Sequence, residues 1–226
     1  MSKKIASCLA LFVLFAFCVV QARAQSDDKR FEVGGQFSVL RVPTRIVTAS
    51  GSTLAANEGR DTNYGFGGRF GYRLSKYFTL EAEGNFFHRD NVLDDGRKVQ
   101  GLFGVKAGKR FQHFGVFAKA RPGFVRYSRG DYRFVAPCIA LFPPPIGCFQ
   151  PVARTDFAID VGGVFEYYPS KRTIIRFDAG DTIVRFPDRN AAAFQTNSPV
   201  FSLVVLPTAA GTKHHFQSSV GFGFRF

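Results

Sequence analysis

The chain has 226 residues and a formal net charge of +13, with 28 Phe and 23 Gly against a single Met and no Trp. That balance is unlike a helical bundle packed on Leu and Met, and it suits a strand-rich chain. Basic charge alone would admit nucleic acid as a partner, but the Lys and Arg residues are scattered instead of clustered on one helical face, which argues against nucleic-acid binding.

At the start, Lys3 and Lys4 precede an apolar run from Ile5 to Val20 that is too short for a membrane-spanning helix. Ala22-Arg23-Ala24 then offers small residues at the positions a signal peptidase reads. The reading is a signal peptide over residues 1–24, cleaved before Gln25, followed by one domain over 25–226. Cys8 and Cys18 would leave with the signal, and Cys138 and Cys148 would remain as a close pair. In an oxidising compartment such a pair is expected to form a disulfide. No later stretch is apolar enough for a transmembrane helix, so a membrane crossing would have to be made by alternating strands.

Alternation with a period of two recurs along the chain. The first candidate strand sets Phe31, Val33, Phe37 and Val39 against Glu32, Gly34, Gln36 and Ser38. The second sets Tyr64, Phe66, Phe70 and Tyr72 against Gly65, Gly67, Arg69, Gly71 and Arg73, and the third Phe78, Leu80, Ala82 and Phe86 against Thr79, Glu81, Glu83 and Asn85. The fourth opposes Val99, Phe103, Val105 and Ala107 to Gln100, Gly104, Lys106 and Gly108. In the fifth, Phe114, Val116, Ala118, Ala120 and Phe124 face away from Gly115, Lys119, Arg121 and Gly123. The sixth sets Phe157, Ile159, Val161, Phe165 and Tyr167 against Asp156, Ala158, Asp160, Gly162 and Glu166, and the seventh Ile175, Phe177 and Ala179 against Arg176, Asp178 and Gly180. The last segment has the clearest pattern, with Phe216, Val220, Phe222, Phe224 and Phe226 opposed to Gln217, Ser219, Gly221, Gly223 and Arg225.

Short turns near 75–77, 111–113 and 169–172 alternate with longer polar connections over 42–62, 88–97, 128–154 and 186–212. This sorting of connections by length is the layout of outer-membrane barrels, with the chain ends on the short-turn side. The fold class predicted is all-β, a closed antiparallel eight-stranded transmembrane β-barrel. Lipid cannot satisfy open sheet edges, so the sheet has to close on itself. Its interior is only wide enough for side chains to fill. The expectation is therefore a lumen plugged by an ion-pair network of Glu32, Arg69, Arg73, Glu81, Glu83, Lys106, Lys119, Arg121, Asp156, Asp160, Glu166, Arg176, Asp178 and Arg225.

The excess of positive charge then lies outside the lumen, about half of it in the connections. Arg126, Arg129, Arg133 and Arg154 flank the third of these, which suggests attraction to phosphates of surface glycolipid. The same connection carries Phe142-Pro143-Pro144-Pro145 between the two cysteines, the makings of a stiff apolar protrusion.

Enzymatic and cofactor motifs do not emerge. Gly65-Phe66-Gly67-Gly68 lacks the dinucleotide spacing, and Gly104 to Lys109 misses the phosphate-loop spacing. His88, His113, His214 and His215 do not form a metal spacing. His215 and Ser218 are three apart, whereas a lipid A deacylase pattern places His and Ser two apart on one face. No cofactor or metal is expected.

The signal peptide, the alternating strands and the terminal Ser219-Val220-Gly221-Phe222-Gly223-Phe224-Arg225-Phe226 together resemble the small outer-membrane barrel family that includes the outer membrane proteins A and X. The resemblance implies residence in the cell outer membrane and contact with outer-membrane lipid. It also implies recognition of Phe222, Phe224 and above all the terminal Phe226 by the barrel-assembly machinery. The function expected is non-enzymatic: a structural, adhesive or surface-interaction role, with an extracellular ligand bound through the loops. A lipid-modifying enzyme, a small-solute pore and a soluble ligand-binding barrel are the alternatives.

Overall fold

In the computed structural model, the described residues are 29–50, 53–90, 95–135, 148–195 and 202–226. The proposed signal peptide, Cys138 and the proline run lie outside them. The strands are β1 (Phe31–Ser50), β2 (Thr53–Arg73), β3 (Phe78–Phe87), β4 (Lys98–Arg110), β5 (Phe114–Phe134), β6 (Phe149–Tyr167), β7 (Thr173–Phe186), β8 (Arg189–Gln195), β9 (Ser202–Thr208) and β10 (Gly211–Arg225).

From β1 to β7 each strand pairs antiparallel with the next, β7 pairs with β10, and β10 returns to β1. These eight strands form a closed ring, with β10 and β1 paired from Arg225 and Glu32 to Gln217 and Leu40. The register shows the tilt that closure requires. Glu32 pairs with Gly71 and Gly71 with Glu81; from Arg121 the partners run through Asp160 and Thr182 to His215, which lies two residues beyond the last β10–β1 pair, Gln217 with Leu40, and so far from Glu32.

The short turns are tied by hydroxyl groups. Ser75 Oγ accepts from the amides of Tyr77 and Phe78, both at 3.2 Å. Ser170 Oγ does the same for Arg172 and Thr173, at 3.2 and 3.1 Å. Tight turns of this kind hold neighbouring strands in one register.

Three of the four connections expected to be loops are built differently. β1 and β2 remain paired out to Ser50 and Thr53, so most of 42–62 is a hairpin. β5 and β6 continue, after an irregularity near Tyr127, to the pair Phe134 and Phe149. Residues 186–212 hold a further hairpin, β8 and β9, whose β8 joins β1 in parallel at Ile46 and Val47. Beyond the bilayer both faces of a strand meet water or other polar groups, so no apolar alternation marks these extensions in the sequence. The connection after β3 does turn tightly, with Asp95 and Gly96 in the left-handed region at φ 67° and 78°.

The outer wall is apolar. Val33, Phe37, Phe66, Phe70, Phe103, Val116, Phe157, Phe177, Val220, Phe222 and Phe224 all stand exposed on it. A continuous belt of this kind is stable only against hydrocarbon. No helix among the described residues is long and apolar enough to cross a membrane.

Candidate functional site

The interior is layered along the barrel axis. Towards the short-turn end, the inward positions of β1 to β7 converge on a cluster of ions. Arg121 donates from Nε and Nη2 to Asp160 Oδ2, at 2.9 and 2.6 Å, and from Nη1 to Glu83 Oε2 at 2.5 Å. Arg176 spans Glu81 and Asp178, donating to Glu81 Oε2 at 2.9 Å and to the two Asp178 oxygens at 2.7 and 2.8 Å. Lys106 Nζ is held by Glu32 at 3.2 Å, by Glu81 at 3.1 Å and by Glu166. Lys119 bridges Asp160 and Asp178 at 3.0 and 3.4 Å. Arg69 approaches Asp178 at 3.6 Å, and Arg73 lies 4.0 Å from Glu32.

Nearly all of these groups are buried. Burying an ion is costly, and the arrangement offsets that cost by giving each charge several opposite neighbours in a medium that screens weakly.

Two residues expected in this cluster sit elsewhere. Asp156 belongs to the opposite end, where Arg154 Nε donates to it at 2.8 Å. Arg225 meets no carboxylate among the described residues; its guanidinium lies 3.9 Å from the centre of the Tyr168 ring. Tyr168 in turn donates its hydroxyl to Glu166 at 2.8 Å. One cation is added that the strand alternation did not single out: Arg110, at the end of β4, donates to Glu32 at 2.5 Å.

Above the ions lies a chain of amides. Gln36 donates to Asn85 Oδ1 at 2.8 Å, and Asn85 donates to Gln100 at 2.8 Å and to Glu83 at 2.7 Å. Gln100 donates to Gln217 at 2.9 Å, and Thr182 donates to the same oxygen at 2.8 Å. The chain thus crosses the lumen from β1 to β10. Gly67 pairs with Asn85 in the register, and a side chain there would collide with the Asn85 amide.

A third layer is apolar, against the expectation of a polar lumen throughout. Leu40, Val42 and Phe87 form one buried cluster, and Val125, Tyr127, Ala158, Val184 and Phe186 another. With ions, amides and apolar side chains stacked in turn, the lumen is filled.

The hairpin end is braced in a circle. Arg89 donates to Asp61 at 2.7 Å, linking the segment after β3 to β2. Arg129 of β5 meets Asp90 at 3.2 Å. Arg189 of β8 donates to Asp95 Oδ2 at 2.7 Å and to the Gly130 carbonyl at 3.2 Å, with its guanidinium 4.2 Å from the centre of the Phe186 ring. Asn190 takes hydrogen bonds on to β5 through Asp131 and the Tyr132 carbonyl, both at 3.0 Å. The pairing of β8 with β1 closes the circle. Tyr132, Ala192 and Val205 pack together beneath it, with Phe149 alongside.

Of the arginines expected to attract phosphate around the third connection, Arg129 and Arg154 are therefore engaged by acids, while Arg126 and Arg133 are exposed. Cys148 is buried and disulfide-bonded. Phe222 and Phe224 stand on the outer wall with ring centres 5.0 Å apart, and Phe226 stacks on Phe31 at 6.2 Å where the ring closes. No group of His, Cys, Asp and Glu among the described residues could hold a metal ion.

A closed antiparallel ring with an apolar outer wall, a filled interior rich in buried ions and hairpins gathered at one end is a small membrane β-barrel. The chain belongs to the family of the outer membrane protein beta-barrel domain, which matches residues 10–226, and it resides in the outer membrane. Neisserial surface protein A has a similar structure, at 10% sequence identity and a TM-score of 0.50, over 87% of this chain and 97% of that one. The outer membrane protein OprG from Pseudomonas aeruginosa is similar at 13% identity and a TM-score of 0.47, over 88% of this chain and 96% of that one. At such identities the likeness is one of fold. No curated protein matches the chain in sequence.

Proposed function

We propose that the protein is a non-enzymatic outer-membrane barrel that presents a rigid extracellular crown for structural or adhesive contact at the cell surface. The observation that carries this reading is the circle of braces joining the four hairpins, from Arg89 and Asp61 round to β8 on β1. Ordering a recognition surface in advance lowers the entropy lost when a partner binds. Outer-membrane lipid surrounds the wall, the crown meets the extracellular ligand, and the assembly machinery reads the terminal strand. A disulfide between Cys138 and Cys148 would tie the third hairpin into the same rigid unit.

The filled lumen favours this role over that of a pore. Catalysis has less support, since His215 is buried on the inner face while Ser218 belongs to the other face of β10.

The test is adhesion and conductance measured on the same protein. Cells producing the full chain should attach to immobilised host-matrix or neighbouring-cell surfaces, and cells with β8–β9 replaced by a short turn should lose that attachment while keeping a folded barrel. In planar bilayers the purified protein should pass no steady current. Sustained channels, or attachment unchanged by the replacement, would overturn the proposal.

A further inference from the structure

The ring is closed along only part of the seam between β1 and β10. Their pairing ends at Leu40 and Gln217. Further out, β10 from Gly211 to Phe216 is held on its β7 side, and β1 runs on beside β2. β1 next gains a partner on the open side at Ile46 and Val47, where β8 arrives. The wall is thus split over a short stretch framed by β1, β10 and β8. A cleft of about 750 Å³ lies there, lined by Arg41, Arg60, Asp181, Lys213, His214 and Phe216 among others.

Two arguments place this split at the height of lipid headgroups. Strand edges without partners are not tolerated in hydrocarbon, so the seam has to open beyond it. The outward positions also change character here: Phe37, Tyr64, Phe66, Phe216 and Val220 mark the end of the apolar belt, and Arg41, Arg60 and His214 follow them along the same strands.

The cleft carries surplus positive charge. His214 Nδ1 lies 2.5 Å from Asp181 Oδ2, which engages the acid of the lining. Arg41 and Arg60 are exposed, and neither meets a carboxylate among the described residues. A guanidinium offers a planar fork of donors that fits phosphate oxygens two at a time. We infer that the seam cleft binds the phosphorylated headgroup of an outer-leaflet glycolipid, with Arg41 and Arg60 on the phosphate and the acyl chains lying down the wall along Phe216 and Val220. Such a lipid would fill the split in the wall and hold the hairpin end at a fixed depth in the leaflet.

The same phosphate chemistry could be supplied by a soluble anion, and a diffuse ring of arginines could collect lipid without any cleft. Native mass spectrometry of the full-length protein in mild detergent separates these cases. The probes are a bis-phosphorylated lipid A and the same lipid with its phosphates removed, with millimolar inorganic phosphate as competitor. The comparison is between R41Q/R60Q and R126Q/R133Q, since Arg126 and Arg133 are also exposed but lie on β5, away from the seam. All four substitutions are at exposed positions, and unheated gel mobility checks that each barrel is folded.

The expected result is one retained lipid A on the parent barrel. Removal of the lipid phosphates, or R41Q/R60Q, should weaken retention by about ten-fold or more, as loss of charge-assisted hydrogen bonds predicts. R126Q/R133Q and inorganic phosphate should change little. Equal loss in both double variants, equal retention of the dephosphorylated lipid, or full displacement by inorganic phosphate would each overturn the inference. Because the readout is made on isolated protein, it stands or falls separately from the adhesive role of the crown.

Discussion

Asp160 and Arg121 face each other across the β5–β6 ladder as register partners, and their side chains are joined by two hydrogen bonds of 2.9 and 2.6 Å. Arg121 also reaches across the lumen to Glu83 on β3. One guanidinium therefore ties adjacent strands locally and opposite walls globally. Among the described residues, replacing Arg121 with Leu leaves Asp160 with Lys119 alone and Glu83 with the Asn85 amide alone in the interior. The expected destabilisation is about 3–5 kcal/mol, by analogy with broken buried pairs in soluble proteins. Urea unfolding in lipid vesicles, followed by gel mobility, measures it. R133Q in the exposed part of β5 should stay within about 0.5 kcal/mol of the parent. Removing Arg121 and Asp160 together should cost less than the two single losses added, since each loss leaves the other partner uncompensated.

The amide layer makes a separate prediction at Gly67. Any side chain at this position runs into the Asn85 amide, whose donors and acceptor serve Gln36, Glu83 and Gln100, and into the backbone carbonyl of Gly84. G67A should therefore cost about 1–3 kcal/mol, the usual range for overpacking. Adding N85A to G67A should recover part of that loss, because the methyl then occupies the space the amide leaves. If N85A and G67A are simply additive in the same unfolding measurement, the collision with the amide is not what makes glycine necessary there, and the Gly84 carbonyl is.

The two faces of each barrel strand were legible in the sequence because hydrocarbon demands an apolar outer wall, and a period of two then assigns every inner side chain. Gln36, Asn85, Gln100 and Gln217 could be placed on the inner face in this way. Their joining into one chain could not, since Asn85 and Gln100 are neighbours in one hairpin but the outer two links, 49 and 117 residues apart, are made only by the stagger of the whole ring. Leu102 and Phe117 are buried inward although each sits beside apolar neighbours, so local hydropathy does not reveal which of two adjacent apolar residues turns inward. Arg110 was missed for a related reason, lying at the strand end where alternation fades. Asp156 fell at the right face but the wrong depth, because period two reports side and not height along the axis, whereas Arg225 is level with Glu32 but lies over the Tyr168 ring. The crown was the least legible part, because strands outside lipid have no apolar face to advertise them.

The terminal strand bears on assembly as well as on closure. Phe226 exchanges backbone hydrogen bonds with Phe31, at 2.9 and 3.0 Å, and stacks on its ring, so the last residue helps to zip β10 to β1. F226A deletes the ring but keeps those backbone bonds. If the aromatic end is read during assembly, the variant should reach the outer membrane of intact cells in amounts reduced several-fold. In vitro, refolding of F226A into vesicles should proceed to within about 1 kcal/mol of the parent, because the lost stacking is worth only that much. Equal losses in cells and in vesicles would assign Phe226 to stability alone.

Arg189 offers the sharpest probe of the crown. Among the described residues it is the one side chain that bonds both the turn after β3, through Asp95, and β5, through the Gly130 carbonyl, while its guanidinium lies over Phe186 at the top of the barrel. These contacts lie outside the ring ladders, so R189A should loosen the hairpins without opening the barrel. Loss of a charge-assisted hydrogen-bonded pair that is mostly buried corresponds to about 1–3 kcal/mol of local stability. Where opening is fast relative to cleavage, that becomes a rise of roughly five- to one-hundred-fold in the rate of proteolysis of the hairpins. Limited proteolysis of intact cells reads this rise, and unheated gel mobility reads the barrel. A variant that keeps both the parent's cleavage rate and its mobility would show that Arg189 does not hold the crown, while one that loses mobility would place it in the stability of the barrel itself.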